Sequence, residues 1–108
     1  SDPEFGVSEH AASVLLAARN HAGDVQAGLN VAYDPELIEA FEQAGYNTVE
    51  FDSEAREELD ATIGEAVTNV DLTETFVLYQ TGDFGIEPIS YVLGPDAPTV
   101  AAAVRSVN

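Results

Sequence analysis

Three short segments of this chain combine residue types that can do chemistry. The first, segment 6–10, reads Gly-Val-Ser-Glu-His, so that His10 follows a potential helix-capping hydroxyl, Ser8, by two residues. A helix that begins here presents free N–H groups and the positive end of its dipole, which together bind anions and favour a neutral imidazole that can donate or accept a proton. The alternative is an exposed histidine at a frayed helix start, and the spacing alone favours that alternative.

The second segment, 81–88, reads Thr-Gly-Asp-Phe-Gly-Ile-Glu-Pro. Its glycines, Gly82 and Gly85, and its carboxylates, Asp83 and Glu87, lie between two predicted strands. Such a loop can bind a divalent cation or hydroxyl groups. The same residues also make an ordinary hairpin turn, and two neighbouring acids are weak evidence in a chain that has 20.

The third segment is an apolar strand pattern at 28–31, Gly-Leu-Asn-Val, which contains one amide. Asn30 points opposite to Leu29 and Val31 because side chains alternate along a strand. It can therefore face solvent, a helix layer or a ligand cleft. His21 stands at the predicted end of a helix, where the dipole favours a cation, and we assign it no function.

Alternating helix and strand patterns predict the elements that position these segments. Apolar residues three and four apart predict a helix over about 8–20, and apolar residues two apart predict a strand over 25–33. Asp34 followed by Pro35 predicts the start of a second helix, and Gly45 its end. The rest of the pattern predicts a strand at 46–51, a helix from 52 to about 70, strands at 75–80 and 89–93, and a helix at 98–107. This alternation predicts an α/β fold, a three-layer α/β/α sandwich with a mixed sheet.

The same periodicities predict which side chains share a face and, on two elements, which are buried. On the second helix we expect Leu37, Ile38, Phe41 and Ala44 to face inward. The near-continuous apolar run at 76–79 predicts a strand that is buried on both faces. On the first strand, one face is predicted to carry Val25, Ala27, Leu29, Val31 and Tyr33.

The charge balance excludes several classes of function. Twenty acidic residues stand against three basic ones, for a net charge of −17, while hydrophobic residues make up 45% of the 108 residues. A folded domain of this charge repels nucleic-acid phosphates and anionic membranes. Arg19, Arg56 and Arg105 are too scattered to form a basic stripe. No apolar stretch approaches the roughly 20 residues that a membrane span needs.

Composition also bears on the environment of the protein. An acidic chain without lysine is typical of a halophilic protein, because about 1 M salt shortens the Debye length to about 3 Å and screens self-repulsion. The alternative is an acidic protein of an ordinary cytosol. The absence of cysteine excludes disulfides and zinc fingers and fits a cytoplasmic location. Residues 1–5, Ser-Asp-Pro-Glu-Phe, are interpreted as an expression-vector scar, which leaves 6–108 as a single domain.

Taken in order, these segments resemble the ThiN domain, the archaeal-type thiamine-phosphate synthase domain that is commonly fused behind a hydroxymethylpyrimidine (phosphate) kinase. The resemblance runs from about residue 6 to residue 107, and its most specific part is Gly-Asp-x-Gly-x-Glu-Pro at 82–88. The other motifs are Gly-x-Ser-x-His-x-Ala around His10, Gly-Leu-Asn-Val-Ala-Tyr at 28–33, Ala-Gly-Tyr at 44–46 and Val-Leu-Gly-Pro-Asp at 92–96.

The resemblance implies a fold of the aldolase/phosphomethylpyrimidine-kinase-domain type and a reaction. That reaction joins hydroxymethylpyrimidine pyrophosphate to hydroxyethylthiazole phosphate and gives thiamine monophosphate and pyrophosphate, with Mg²⁺ expected as cofactor. His10 takes the catalytic role that a histidine has in the first family segment. Asn30, Asp83 and Glu87 carry over as pocket residues. Backbone N–H groups near Ser8 and at Gly82 and Gly85 are expected to hold the phosphates.

The chain also departs from the family pattern. Family members usually carry an arginine three residues after the histidine, where this chain has Ser13, and they continue upstream into a segment with another basic residue. ThiN-like domains also occur behind DNA-binding modules. The alternative function is therefore a non-catalytic domain that senses thiamine phosphates within a transcriptional regulator.

Overall fold

The computed structural model describes residues 9–21, 24–51, 59–68, 70–71, 73–82 and 87–107. Helices and strands follow in the predicted succession of helix, strand, helix, strand, helix, strand, strand, helix. Their bounds are α1 Glu9–His21, β1 Ala27–Val31, α2 Pro35–Gln43, β2 Asn47–Glu50, α3 Leu59–Ala66, β3 Phe76–Gln80, β4 Ile89–Gly94 and α4 Ala97–Ser106.

The four strands of the described residues form one mixed sheet in the order β1-β4-β3-β2. β2 and β3 run parallel, whereas β4 runs antiparallel to both of its neighbours, β3 and β1. Because β4 alone is reversed, β1, β2 and β3 all end at the same edge of the sheet, and β4 begins there. This edge is called the upper end below, and the opposite edge the lower end.

Two hydrophobic clusters lie on the two faces of the sheet. On one face, Val14 of α1 and Ile63 of α3 pack against Phe76, Leu78 and other inward side chains. On the other face, residues of α2 and α4 pack against Val77 and Val92. β3 therefore contributes to both clusters, as its apolar run predicts. The α/β/α sandwich predicted from the sequence is confirmed.

Local signals fix the helix that follows β1. The side chain of Asp34 accepts a hydrogen bond from the N–H of Glu36 at 2.9 Å, and Pro35 occupies the first helical position. At the other end, Gly45 has φ +97, a conformation that favours glycine, and the N–H of Tyr46 donates to the carbonyl of Phe41 at 3.0 Å. The predicted start and end of α2 are both confirmed.

Two expectations about side-chain placement are wrong. Ala44 is exposed, because α2 ends before it at Gln43. Val25 is buried, but in the α1/α3 cluster, because it precedes β1 and does not follow the strand alternation. Leu29 shares a strand face with Ala27 and Val31, as predicted, and it is 41% exposed on a strand that lies at the edge of the sheet.

The third helix is described only in part. α3 spans Leu59–Ala66, so it ends before the predicted limit near residue 70, while the predicted start at Asp52 and Ser53 lies outside the described residues. Gly23, predicted to end α1, also lies outside them. Within the described part of the chain, no helix has the length and apolarity needed to cross a membrane.

Candidate functional site

The sheet brings two of the three predicted segments to its upper end. There Val31 at the end of β1 lies opposite Ser90 of β4, and Gln80 at the end of β3 lies opposite Ile89. The strand pattern that contains Asn30 therefore ends beside the point where segment 81–88 leaves β3 and enters β4. This relation depends on the strand order, which the residue pattern does not give.

Asn30 lies on the α1 side of β1 and is exposed. It shares this face with Gly28, where an added Cβ would come within 2.6 Å of Leu93 and 3.8 Å of Leu15 of α1. The sequence allows Asn30 to face solvent, a helix layer or a ligand cleft. Among the described residues, it faces solvent. Its register partner is Tyr91, which is buried, and burial raises the pKa of Tyr91 to about 12. Tyr91 is therefore protonated at neutral pH.

His10 lies in the first turn of α1, as predicted, although its side chain is outside the described part of the structure. α1 ends at His21, and β1 begins at Ala27, so the short connection holds the end of the helix near the lower end of β1. A helix of 13 residues is about 20 Å long. Leu15 lies against β1 at Gly28, and Arg19 lies beside Gln26 at the lower end, so α1 carries its first turn toward the upper end, where Asn30 lies.

Segment 81–88 is described at its two ends. Gly82 follows β3 with φ +87, a left-handed conformation that non-glycine residues rarely adopt. Glu87 is exposed and stands two residues before the start of β4. Asp83 and Gly85 lie outside the described residues, as does Ser8 of the first segment. The two described members, Gly82 and Glu87, therefore lie at the same end of the sheet as Asn30.

Sequence reasoning missed Ser90, which joins the two strands at this end. Its hydroxyl donates a 2.8 Å hydrogen bond to the carbonyl oxygen of Val31, and the residue is fully buried. A serine in an otherwise apolar strand is the signal that points to such a bond, because a buried hydroxyl needs a partner. The partner itself, 59 residues away, cannot be read from the chain.

The opposite face of the upper end is acidic. Tyr33 and Tyr79 stack with ring centroids 5.9 Å apart. Burial raises the pKa of Tyr79, and the negative charges of Glu50 and Glu42 raise it further. Carboxylates that disfavour a phenolate also disfavour a phosphate. The α2/α4 face near β2 is therefore not where the described residues would hold one.

Positive charge is sparse in this part of the molecule. Arg19, in the last turn of α1, donates to the side-chain oxygen of Gln26 at 2.8 Å and lies near the lower end. Arg105 stands in the last turn of α4 and is exposed. α4 begins where β4 ends and packs back along β4 and β1, so it carries Arg105 toward the upper end.

The described residues do not form a ready metal site. Among them, no three His, Cys, Asp or Glu side chains are grouped so that they could hold a metal ion. Of the two carboxylates predicted in segment 81–88, Glu87 is described and Asp83 is not. Among the described residues of this segment, Glu87 therefore remains a candidate ligand for a Mg²⁺ ion.

A cleft of about 500 Å³ opens at the lower end of the sheet and is separate from these residues. It lies between the loop after α2, the residues before β3 and the start of α4, and none of the predicted site residues lines it. The buried Thr75 hydroxyl beside it has no hydrogen-bond partner among the residues that the structure describes. The lining residues are Ala44, Gly45, Tyr46, Asn47, Thr73, Glu74, Thr75, Pro95 and Thr99.

Comparison with known proteins decides the family. The family model described as thiamine-phosphate synthase ThiN matches residues 1–106. This chain belongs to the ThiN family. The chain is 30% identical over 109 residues to thiamine-phosphate synthase ThiN of Methanothermobacter thermautotrophicus, a match that covers 93% of this chain and 57% of that protein.

Two further proteins place this ThiN chain among its relatives. It is 32% identical over 112 residues to the bifunctional thiamine biosynthesis protein ThiDN of Methanocaldococcus jannaschii, covering 99% of this chain and 26% of that protein. The fold matches the crystal structure of the C-terminal domain of phosphomethylpyrimidine kinase with a TM-score of 0.76 at 24% identity, covering 97% of this chain and 64% of that one. This ThiN chain thus spans a little over half of the first relative and about a quarter of the second.

Proposed function

We propose that this chain is the thiamine-phosphate synthase domain of its parent protein. It would join hydroxymethylpyrimidine pyrophosphate to hydroxyethylthiazole phosphate, giving thiamine monophosphate and pyrophosphate. The observation that carries this proposal is the ThiN family match over residues 1–106, which includes all three candidate segments. The common position of Asn30, Gly82 and Glu87 at the upper end supports it.

The reaction requires the protein to stabilise pyrophosphate as a leaving group. The bond between the pyrimidine methylene carbon and the pyrophosphate oxygen breaks, and the oxygen keeps the electron pair. The thiazole nitrogen forms the new bond to that carbon with its lone pair. His10 is proposed to donate a hydrogen bond or a proton to the departing oxygen, and the first N–H groups of α1 stabilise its charge.

The substrate phosphates need cationic side chains or N–H groups as partners. A chain with a net charge of −17 has few cationic side chains. We assign this role to the N–H groups at the start of α1, to those of the turn that begins at Gly82, and to Arg105 in the last turn of α4. Asn30 and Glu87 are proposed to contact the heterocycles through hydrogen bonds. Mg²⁺ is proposed to arrive with the pyrophosphate, with Asp83 and Glu87 as candidate ligands, because Mg²⁺ is commonly bound by one or two carboxylates together with substrate phosphates.

The context of the domain follows from its relatives and composition. The ThiDN relative is bifunctional by name, so we propose that the parent of this chain also joins its ThiN domain to a kinase domain. The alternative fusion is a DNA-binding module. A cysteine-free, strongly acidic chain fits a halophilic cytoplasm, and we propose that location.

The proposal is tested by the formation of thiamine monophosphate. Both precursors, Mg²⁺ and about 1 M KCl are supplied to the 108-residue chain, and product is followed by chromatography. Turnover supports the synthase, and omission of either precursor should abolish it. Absence of turnover both in this chain and in the full-length parent protein would overturn the proposal.

One observation favours the sensing alternative. Ser13, a half-buried residue of α1, stands where family members usually carry an arginine, so one phosphate partner is missing. A sensor would bind thiamine phosphates without catalysis. Thermal stabilisation by thiamine monophosphate without turnover, in both the chain and its parent, is the result that would favour the sensor.

A further inference from the structure

One stretch of the chain carries almost none of its negative charge. Residues 10–33 contain one of the 20 acidic residues, Asp24, together with both histidines and one of the three arginines. Residues 25–33 contain no charged side chain. This stretch forms nearly all of α1 and the whole of β1. The α1/β1 side is therefore the surface that a second molecule of charge −17 can approach with the least repulsion.

β1 is also an edge strand of the sheet. It pairs with β4 on one side, and none of the described residues pairs with its other side. Natural proteins usually protect such an edge with lysine, proline or other charged residues. The sequence of β1, Ala-Gly-Leu-Asn-Val, contains none of these, and its three central residues are exposed.

The other edge strand, β2, shows the contrast. It contains Glu50, and Glu42 of α2 reaches it by accepting a 2.7 Å hydrogen bond from the hydroxyl of Thr48. Carboxylates along an edge repel the same edge of another copy. The two edges thus differ in their suitability for pairing, and the acid-free one is β1.

Exposed apolar side chains occur in the same place. Among the described residues, the exposed large hydrophobics are Leu16 of α1, at 58% exposure, and Leu29 of β1, at 41%. Leu29 lies on the α2/α4 side of the strand and Leu16 on the helix that covers the other side. Burying them against a second copy removes apolar surface from water, which favours association.

We propose that two copies of this chain associate through β1, whose open edge pairs antiparallel with the β1 edge of the second copy and continues the sheet. When the same edge of two copies pairs, the contact is two-fold symmetric. Each residue of the edge therefore contacts the symmetry-related region of the other copy. Because residues 25–33 are uncharged, any antiparallel register near the centre of β1 is free of like-charge pairs. Leu16 and Leu29 contact the second copy beside the seam.

Salt distinguishes this association from one driven by charge attraction. The net charge of −17 opposes pairing in dilute buffer, and about 1 M KCl screens most of it. The dimer should therefore strengthen as salt rises, whereas a contact between opposite charges weakens. Sedimentation equilibrium at about 0.1 M and about 1 M KCl measures this directly. The expected species at high salt has twice the 11.4 kDa mass of the chain.

Three single-lysine variants locate the contact. Leu29→Lys and Leu16→Lys should each raise the dissociation constant at least about tenfold. Ala61→Lys, on the exposed surface of α3, makes the same charge change away from β1 and should leave the constant unchanged or lower it, since it reduces repulsion. Circular dichroism checks that each variant is folded, and Leu16→Lys keeps the test decisive if Leu29→Lys does not fold.

Hydrogen exchange adds a second readout. The β1 amides should become more protected as protein concentration rises at high salt. A chain that stays at 11.4 kDa up to millimolar concentration at high salt overturns the proposal. This holds even if its β1 amides are protected, because the edge of β1 is then covered within one molecule. A dimer that neither leucine variant weakens overturns it as well.

Discussion

The hydroxyl of Ser90 donates a 2.8 Å hydrogen bond to the carbonyl oxygen of Val31. This bond joins the start of β4 to the end of β1, at the end of the sheet that also carries Asn30 and the flanks of segment 81–88. A fully buried side chain thereby positions residues that are themselves exposed.

Replacing Ser90 should loosen the upper end. Ser90→Ala removes the donor and leaves the Val31 carbonyl with one fewer partner, so unfolding free energy should fall by about 1–2 kcal/mol. The rate of thiamine monophosphate formation should also fall, since Asn30 precedes Val31. Thr68→Val is the control, because the Thr68 hydroxyl donates a 3.0 Å bond to the carbonyl of Gly64 at the end of α3, away from the upper end. Equal effects of both variants on turnover, at matched stability, would contradict a positioning role for Ser90.

Gly82 and Gly45 allow strain to be separated from function. Both have left-handed φ, +87 and +97, so alanine at either position should cost about 1–2 kcal/mol of stability. Gly82 lies in the candidate site, whereas Gly45 follows α2 at the lower end of the sheet. Gly82→Ala should therefore reduce turnover, or raise KM for the pyrophosphate substrate, well beyond Gly45→Ala. Indistinguishable kinetics of the two variants would remove segment 81–88 from the proposed phosphate site.

The start of α4 should respond to acid. Asp96 accepts a 2.7 Å hydrogen bond from the N–H of Thr99, and hydrogen bonds from the Thr99 side chain and backbone lower the pKa of Asp96 below its usual 3.8. A carboxyl whose pKa is lowered on folding stabilises the fold above that value and loses this contribution as pH falls through its folded pKa. Asp96→Ala should thus be less stable than wild type at pH 7, with a gap that narrows below about pH 4.

Loss of one negative charge must be separated from loss of the cap. Glu39→Ala removes an exposed charge from the interior of α2 and serves as the control. It should leave stability unchanged or raise it slightly, because it lowers self-repulsion. Urea titrations at pH 7 and at about pH 3 measure both differences. A gap for Asp96→Ala that does not depend on pH would contradict the cap assignment.

Molar salt should stabilise the fold. At −17, self-repulsion opposes the compact state, and KCl at about 1 M shortens its range to about 3 Å. The melting temperature should rise steeply between about 0.1 M and about 1 M KCl and then level off. Sorbitol at equal osmolality is the control, since it does not screen charge. A melting temperature that follows osmolality alone would contradict an electrostatic origin.

The sequence predicts much of this fold because its signals are local. Asp34 and Pro35 start α2 and Gly45 ends it, so residues next to each other in the chain set both ends of the helix. The apolar run at 76–79 likewise predicts from adjacent residues a strand that is buried on both faces. The exposure of Leu29, and the open edge of β1 that we propose for dimerisation, could not be predicted in this way. They depend on β1 lying at the edge of the sheet, and alternation within one strand does not report its neighbours.

The candidate site shows the same division. The residue pattern identifies His10, Asn30 and Glu87 as chemically suitable, but each has a structural alternative that local spacing cannot reject. Strand order brings Asn30 and Glu87 to one end of the sheet, and the Ser90 hydroxyl fixes that end through a contact across 59 residues. Proximity of this kind is set by tertiary packing, so it is found only in the folded chain.

The most direct test compares the two histidines of α1. His10 lies in the first turn of the helix, while His21 lies in its last turn, with its ring nitrogen 3.6 Å from a carboxylate oxygen of Asp60. Initial rates of thiamine monophosphate formation are measured for wild type, His10→Ala and His21→Ala, each checked for folding. We expect His10→Ala to lower kcat by about 10²–10⁴-fold and His21→Ala to remain near wild type. Equal rates for wild type and His10→Ala would contradict the proposed mechanism.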